Sequence, residues 1–172
     1  MRHAERHAAY EALLRRNLAP LRRLAYAYIR EASEREDLFQ EIALALWTAL
    51  PLFRGDSSER TWLYRVAHNT AIRFTTKLTR RARHEQPGDH VQEPVSGANP
   101  ERGAIDGQQR ERLWAAVQEL PLQDRQLVVL HLEGLSAEEI ESVTGLGAGN
   151  VATRLTRARQ KLTASIRRGE QR

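Results

Sequence analysis

Arginine, asparagine and tryptophan at helical spacing can grip a phosphate backbone and stack on its bases. The stretch Phe53 to Phe74, FRGDSSERTWLYRVAHNTAIRF, carries that combination. With Trp62 at zero and steps of about 100° per residue, Val66, Leu63, Phe74, Ala67, Leu78, Ala71 and Tyr64 fill an apolar arc. His68, Arg65, Thr76, Asn69 and Arg73 fill the opposite one. From Arg60 to His84 there are seven Lys/Arg and no acid, which suits a polyanion. The turn before the helix, Arg54, Gly55, Asp56, Ser57 and Ser58, offers several N-caps. The plain alternative is a basic helix face that is merely solvated.

A second constellation lies at Ser136 to Leu155, SAEEIESVTGLGAGNVATRL. Ser136 with Glu139 three residues on has the form of a capping box. Ile140 and Val143 are the buried positions of a short helix that Gly145 closes. From Asn150 a long helix runs to about Arg168, with Val151, Leu155, Ala158, Leu162 and Ile166 in one narrow stripe. Two helices around a glycine-containing turn are the layout of a DNA-binding helix-turn-helix. Asn150, Thr153, Arg154, Thr156, Arg157 and Gln160 face away from the stripe. Arg, Asn and Gln can pair bidentately with base edges, while Thr or Arg can hold phosphates. An αα-hairpin with solvated cations is the bland reading of the same residues.

Enzymatic chemistry finds little support. The histidines and carboxylates show no HExxH-like metal spacing, and no cofactor is implied. The absence of cysteine excludes disulfides, thiol redox chemistry and Cys-based zinc sites. The glycines at 145, 147 and 149 lack the strand before and the Lys-Ser/Thr after that a phosphate loop requires. Ser57 and Ser58 have no nucleophile elbow around them. His68 and His131 are single histidines, solvated or packed. Asp37 and Glu41, one turn apart beside Gln40, read as an acidic docking surface.

The elements that must position these residues are helical, with almost no strand signal. The first helix is expected over about residues 4–29, with Pro20 a candidate break and Leu14, Leu18, Leu21, Leu24, Ala25 and Tyr28 at helical spacing. Ser33 with Glu36 predicts a capping box for the next helix, whose buried stripe is Leu38, Ile42, Ala45 and Leu46, and which Pro51 ends. Residues 80–103, with three prolines, three glycines and no periodic apolar face, read as a linker. Leu113, Val117 and Leu120 then mark a helix from about Arg110, Pro121 breaks it, and Gln123 to Glu133 forms another that Gly134 stops. Glu31, Glu34, Glu36, Asp37 and Glu41 cluster early, and Glu133, Glu138, Glu139 and Glu141 late. Each cluster is followed by a basic, acid-free stretch, so two modules with paired anionic and cationic surfaces are expected. The 172 residues, net charge +5, contain neither a secretory h-region nor a membrane-spanning apolar run. A soluble cytoplasmic protein without membrane insertion is the expectation.

Together the two pieces resemble a bacterial RNA polymerase sigma factor of the sigma-70 family, extracytoplasmic-function (ECF) class. Glu36 to Phe74 resembles region 2, and Glu119 to Leu162 resembles region 4. The resemblance implies an all-α chain of two small helical domains, residues 1–82 and 106–172, joined by a flexible linker, 83–105, that threads towards the RNA exit path. It implies a non-enzymatic initiation factor that binds polymerase core, directs it to promoters and helps melt the −10 element. A free-standing helix-turn-helix regulator and an all-helical adaptor are the competing readings. Asp37, Gln40 and Glu41 match the face that docks on the clamp coiled coil of the largest polymerase subunit; region 4 would meet the flap of the second-largest. Arg54 to Thr61, with Asp56, Ser57 and Ser58, match the loop that captures a flipped-out base of the −10 element. Trp62, Arg65, Asn69 and Arg73 lie where the adjoining helix meets the melting duplex. Asn150, Thr153, Arg154, Thr156 and Arg157 match the helix that reads the −35 element. An anti-sigma partner is implied as well. The sequence departs from the family pattern at Glu59 (often aromatic), Glu141 (usually small), Ala152 (commonly basic) and Gly147 (commonly a capping Ser or Pro).

Overall fold

The computed structural model describes residues 3–84 and 104–170, all of them helix or short connection. The linker expected at 83–105 therefore lies largely outside the described residues. The described helices run through His84 and again from Ala104, so the helix expected from about Arg110 begins earlier. The elements are α1 (His3–Tyr28), α2 (Ala32–Ala49), a single 3-10 turn (Leu50–Leu52), α3 (Glu59–His84), α4 (Ala104–Glu119), α5 (Leu122–Leu132), α6 (Ala137–Thr144) and α7 (Ala148–Glu170).

In the first half α1, α2 and α3 pack on one another. Pro20 sits inside α1 without ending it. An internal proline costs a helix about 3 kcal/mol. Leu13 before it and Leu21 and Leu24 after it are all buried, and burying each such side chain returns about 1.5–3 kcal/mol. The helix therefore runs through. On α2 the buried positions are Leu38, Phe39, Ile42 and Leu46; Ala45 is only half-buried. The capping box expected at Ser33 does not form: α2 starts at Ala32 behind Glu31, which makes no side-chain cap. The reason is tertiary. The carboxylate of Glu36 that should reach back is instead paired with Arg22 on α1 at 3.1 Å.

In the second half α4, α5 and α6 surround α7. The turn chemistry follows the sequence closely. Pro121 separates α4 from α5, and Gly134 and Gly145 take left-handed φ values of +82° and +76° at the next two breaks. The Ser136–Glu139 capping box closes in both directions. The halves are not separate bodies, since α1 packs on α5 and α3 on α6, and one buried core runs through both.

Candidate nucleic-acid interface

The first face is built on the start of α3. Ser58 caps the helix, its hydroxyl accepting from the Thr61 amide at 3.0 Å, so its side chain is committed to shaping the turn. Arg54 and Asp56 are exposed and Ser57 is half-buried in the loop before it. Trp62 is half-buried and lies against Phe53, ring centroids 4.9 Å apart and planes tilted by 36°. The two rings make an aromatic shelf beside an exposed loop, which is what an unstacked base requires. Phe53 was not among the expected contacts, although it opens the stretch that was. Glu59, the first residue of α3, is paired with Arg16 of α1 at 3.0 Å, so its negative charge is offset at the rim of the shelf.

Farther along α3, Asn69 and Arg73 are exposed and line a groove of about 550 Å³ between α2 and α3, together with Glu41. Asp37, Gln40 and Glu41 are all exposed on the neighbouring face of α2. Arg65 is half-buried, donating from Nε to the Ser142 carbonyl of α6 at 3.0 Å. The placing of His68 on the polar face is corrected: it is buried, and its Nδ1 is hydrogen-bonded to the Tyr28 hydroxyl of α1. Burial lowers its pKa to about 4 and raises that of Tyr28. The neutral ring and the hydroxyl share this one hydrogen bond.

The second face is the polar side of α7. Asn150, Thr153, Thr156 and Arg157 are exposed along it. The hydroxyls of Thr153 and Thr156 donate to Gly149 and Ala152 carbonyls one turn back. Arg154 is occupied within the domain, bonded to Asp124 at 2.8 Å and to Gln123 at 2.7 Å. Glu141 has a structural part to play: its Oε2 accepts from the Ala148 amide at 3.0 Å. It thereby caps α7 from across the turn, where Gly147 supplies no capping side chain, and it places a negative charge at a helix N-terminus.

These contacts separate two neighbouring arginines. Arg154→Ala should remove a half-buried ion pair and lower the thermal midpoint by several degrees. Arg157→Ala should leave the midpoint in place and weaken only duplex binding. Scanning calorimetry on both variants checks this, and equal midpoints would contradict it.

The sequence profile of Sigma-70 region 2 matches residues 13–81 and that of Sigma-70 region 4 matches residues 110–162. The RNA polymerase sigma-H factor of Pseudomonas aeruginosa is 31% identical over 153 residues, which span 83% of this chain and 78% of that protein. The ECF RNA polymerase sigma-E factor of Escherichia coli K12 is 32% identical over 141 residues, spanning 76% and 72%. The chain belongs to the ECF sigma factors of the sigma-70 family. As a sigma factor it is a promoter-specific initiation factor for RNA polymerase, and the reading as a free-standing regulator gives way to this one. The fold agrees with two solved structures. The sigma factor RpoE in complex with the anti-sigma factor NepR from Bartonella quintana superposes with a TM-score of 0.74 at 21% identity, over 92% of this chain and 97% of that one. CnrH in complex with the cytosolic domain of CnrY gives 0.63 at 24% identity, over 92% and 87%.

Proposed function

We propose that this sigma factor divides its work between three surfaces. The exposed carboxylates of Asp37 and Glu41, with Gln40 between them, dock on the clamp coiled coil of polymerase core. The loop Arg54 to Ser58, walled by Phe53 and Trp62, takes one unstacked base of the −10 element, while Arg65, Asn69 and Arg73 meet the strand beyond it. Asn150, Thr153, Thr156 and Arg157 on α7 read the −35 element, with Arg154 buttressing that helix through Asp124. The protein works in the cytoplasm and is not itself a catalyst; the chemistry belongs to the polymerase. Region 4 also meets the flap of the second-largest subunit. An anti-sigma factor holds it in check, a reading supported by its likeness to a sigma factor solved with such a partner.

The observation that carries this reading is the pairing, on one chain, of an aromatic shelf beside a basic helix with an open recognition-helix face. Pull-down of polymerase core and transcription by the reconstituted holoenzyme test it. Core captured together with a promoter-specific transcript supports the reading; neither one sinks it. Asp37→Lys with Glu41→Lys should weaken core binding by about tenfold or more, since like charges across an interface cost several kcal/mol. Both residues are exposed, so the thermal midpoint should stay where it is. A fluorescence titration with core measures the affinity, and an unchanged affinity would remove these carboxylates from the interface.

A further inference from the structure

Arg30, Arg35 and Arg125 meet where the end of α1, the start of α2, the end of α4 and the start of α5 come together. Arg30 and Arg125 both donate to the Gln118 carbonyl, from Nη2 at 2.7 Å and from Nη1 at 3.3 Å. Arg35 donates from Nη1 to the Arg30 carbonyl at 2.7 Å and lies over the Tyr26 ring, 5.0 Å from its centroid. Among the described residues no carboxylate forms an ion pair with any of these arginines. Arg16, Arg22, Arg23 and Arg154 by contrast each have one.

Arg125 is the member that calls for an anion. It is only 6% exposed, and a buried charge without a counter-ion is costly. Its Nη1 is used by Gln118, whose side-chain carbonyl accepts at 2.6 Å, but its Nε is buried with no hydrogen-bond partner. The Nε–Nη2 edge of a guanidinium can hold two phosphate oxygens by parallel bonds. Burial, and then repulsion from Arg30, lower the pKa of Arg125, with Tyr26 opposing. Burial lowers that of Arg35 too, with Tyr26 and Glu31 opposing. An arginine that merely capped the end of α4 would need Nη1 alone. That role accounts neither for the unpaired Nε nor for the two further cations. The start of α2 adds to the positive field, because Glu31 makes no side-chain cap there and the first amides of a helix attract anions. Beside the cluster Trp114 is half-buried and stands edge-on to Tyr26, ring centroids 5.4 Å apart.

We propose that Arg30, Arg35 and Arg125 form a binding site for the polyphosphate group of a small ligand. Arg125 supplies the fixed fork, exposed Arg30 the arm that turns onto the anion from solvent, and Arg35 the charge at the start of α2. Balancing these cations takes more than one negative charge, which favours a pyrophosphate or a nucleotide over a monoanion. A free polyphosphate and a nucleotide bring the same group, but only the nucleotide has a base to stack on Trp114. None of these residues belongs to the proposed DNA contacts, so failure of this site would leave the promoter reading intact.

Calorimetric titration of the full chain at constant ionic strength, with pyrophosphate, ATP and chloride as probes, tests the site. Pyrophosphate should bind, and at about ten times its Kd should raise the thermal midpoint by about 3–6 °C. Matched chloride should do neither. Arg30→Gln with Arg35→Gln should weaken binding by about tenfold or more, while the unliganded midpoint stays within about 2 °C of the parent. Arg159→Gln, which removes an exposed cation on α7, should bind as the parent does. Tighter binding of ATP than of pyrophosphate, lost in Trp114→Leu, supports the site and names a nucleotide as its ligand. Equal or weaker binding of ATP supports it with a free polyphosphate as the ligand. No binding by the parent beyond that of chloride, affinity kept by the double variant, or an equal loss in Arg159→Gln overturns the proposal.

Discussion

Acidification from about pH 7 to about pH 5 should remove about 2 kcal/mol of stability through His68 alone, and about 3 kcal/mol by pH 4. The imidazole is buried between α3 and α1, and burial holds its pKa near 4, below the ordinary 6.5. The unfolded chain therefore binds a proton that the folded chain refuses. The stability that comes from keeping this ring neutral is complete above pH 6.5, declines as pH falls, and is gone below about 4. His68→Gln should flatten the slope of stability between pH 6.5 and 5, a range in which ordinary carboxylates stay ionised. Urea unfolding of parent and variant at about pH 7, 6 and 5 measures it. Parallel slopes would mean that His68 titrates normally and that its burial is not felt.

His68 also marks the limit of what the sequence could disclose. A helical wheel of α3 separates two faces correctly, but it cannot know that α1, α2 and α6 all pack on this helix. A third neighbour buries part of the arc that hydropathy assigns to solvent. Ser33 and Glu36 fail for the same reason, since Arg22, fourteen residues earlier, takes the carboxylate on which the local motif depends. Where the partner is local, the reading holds: the Ser136–Glu139 box, the glycine stops at 134 and 145, and the break at Pro121 all form as the residue types require. The candidate sites divide along the same line. The exposure of Asp37, Gln40, Glu41, Asn150 and Arg157 follows from periodicity, but the occupation of Arg154 by Asp124 and of Arg65 by Ser142 depends on contacts 30 and 77 residues apart. Glu141 stands out in the sequence only as a departure from the family. Its use as a cap for α7 becomes visible once the turn brings it to the Ala148 amide.

The long-range contacts also change what a loss-of-function variant in region 2 means. Thr61 and Arg65 serve both the proposed −10 face and the contact with α6, so replacing either disturbs two interactions together. Residues outside that contact report more cleanly on promoter binding. Trp62 is the residue to use: its ring lies against Phe53, with centroids 4.9 Å apart.

Trp62→Ala should slow promoter opening by about 10- to 100-fold, the equivalent of about 1–3 kcal/mol of lost base stacking. Melting asks the holoenzyme to unstack a base at a cost of a few kcal/mol, and an aromatic shelf offsets part of that by offering the base a second surface. The effect should therefore depend on the state of the template. On a fully paired promoter the deficit is whole; on one already mismatched across the −10 element it should shrink, because the unstacking has been done in advance. Trp62→Tyr keeps a flat ring and should recover most of the rate, whereas Trp62→Leu keeps apolar bulk and should not. Open-complex kinetics by fluorescence on paired and mismatched templates, with thermal midpoints of each variant, separate stacking from folding. An equal deficit on both templates, or full rescue by leucine, would assign Trp62 to packing alone. Glu59 bears on the same step. On the proposed reading its carboxylate sits at the rim of the shelf, and the ion pair with Arg16 offsets that charge. The shelf can therefore work beside an acid as long as α1 keeps Arg16 in place.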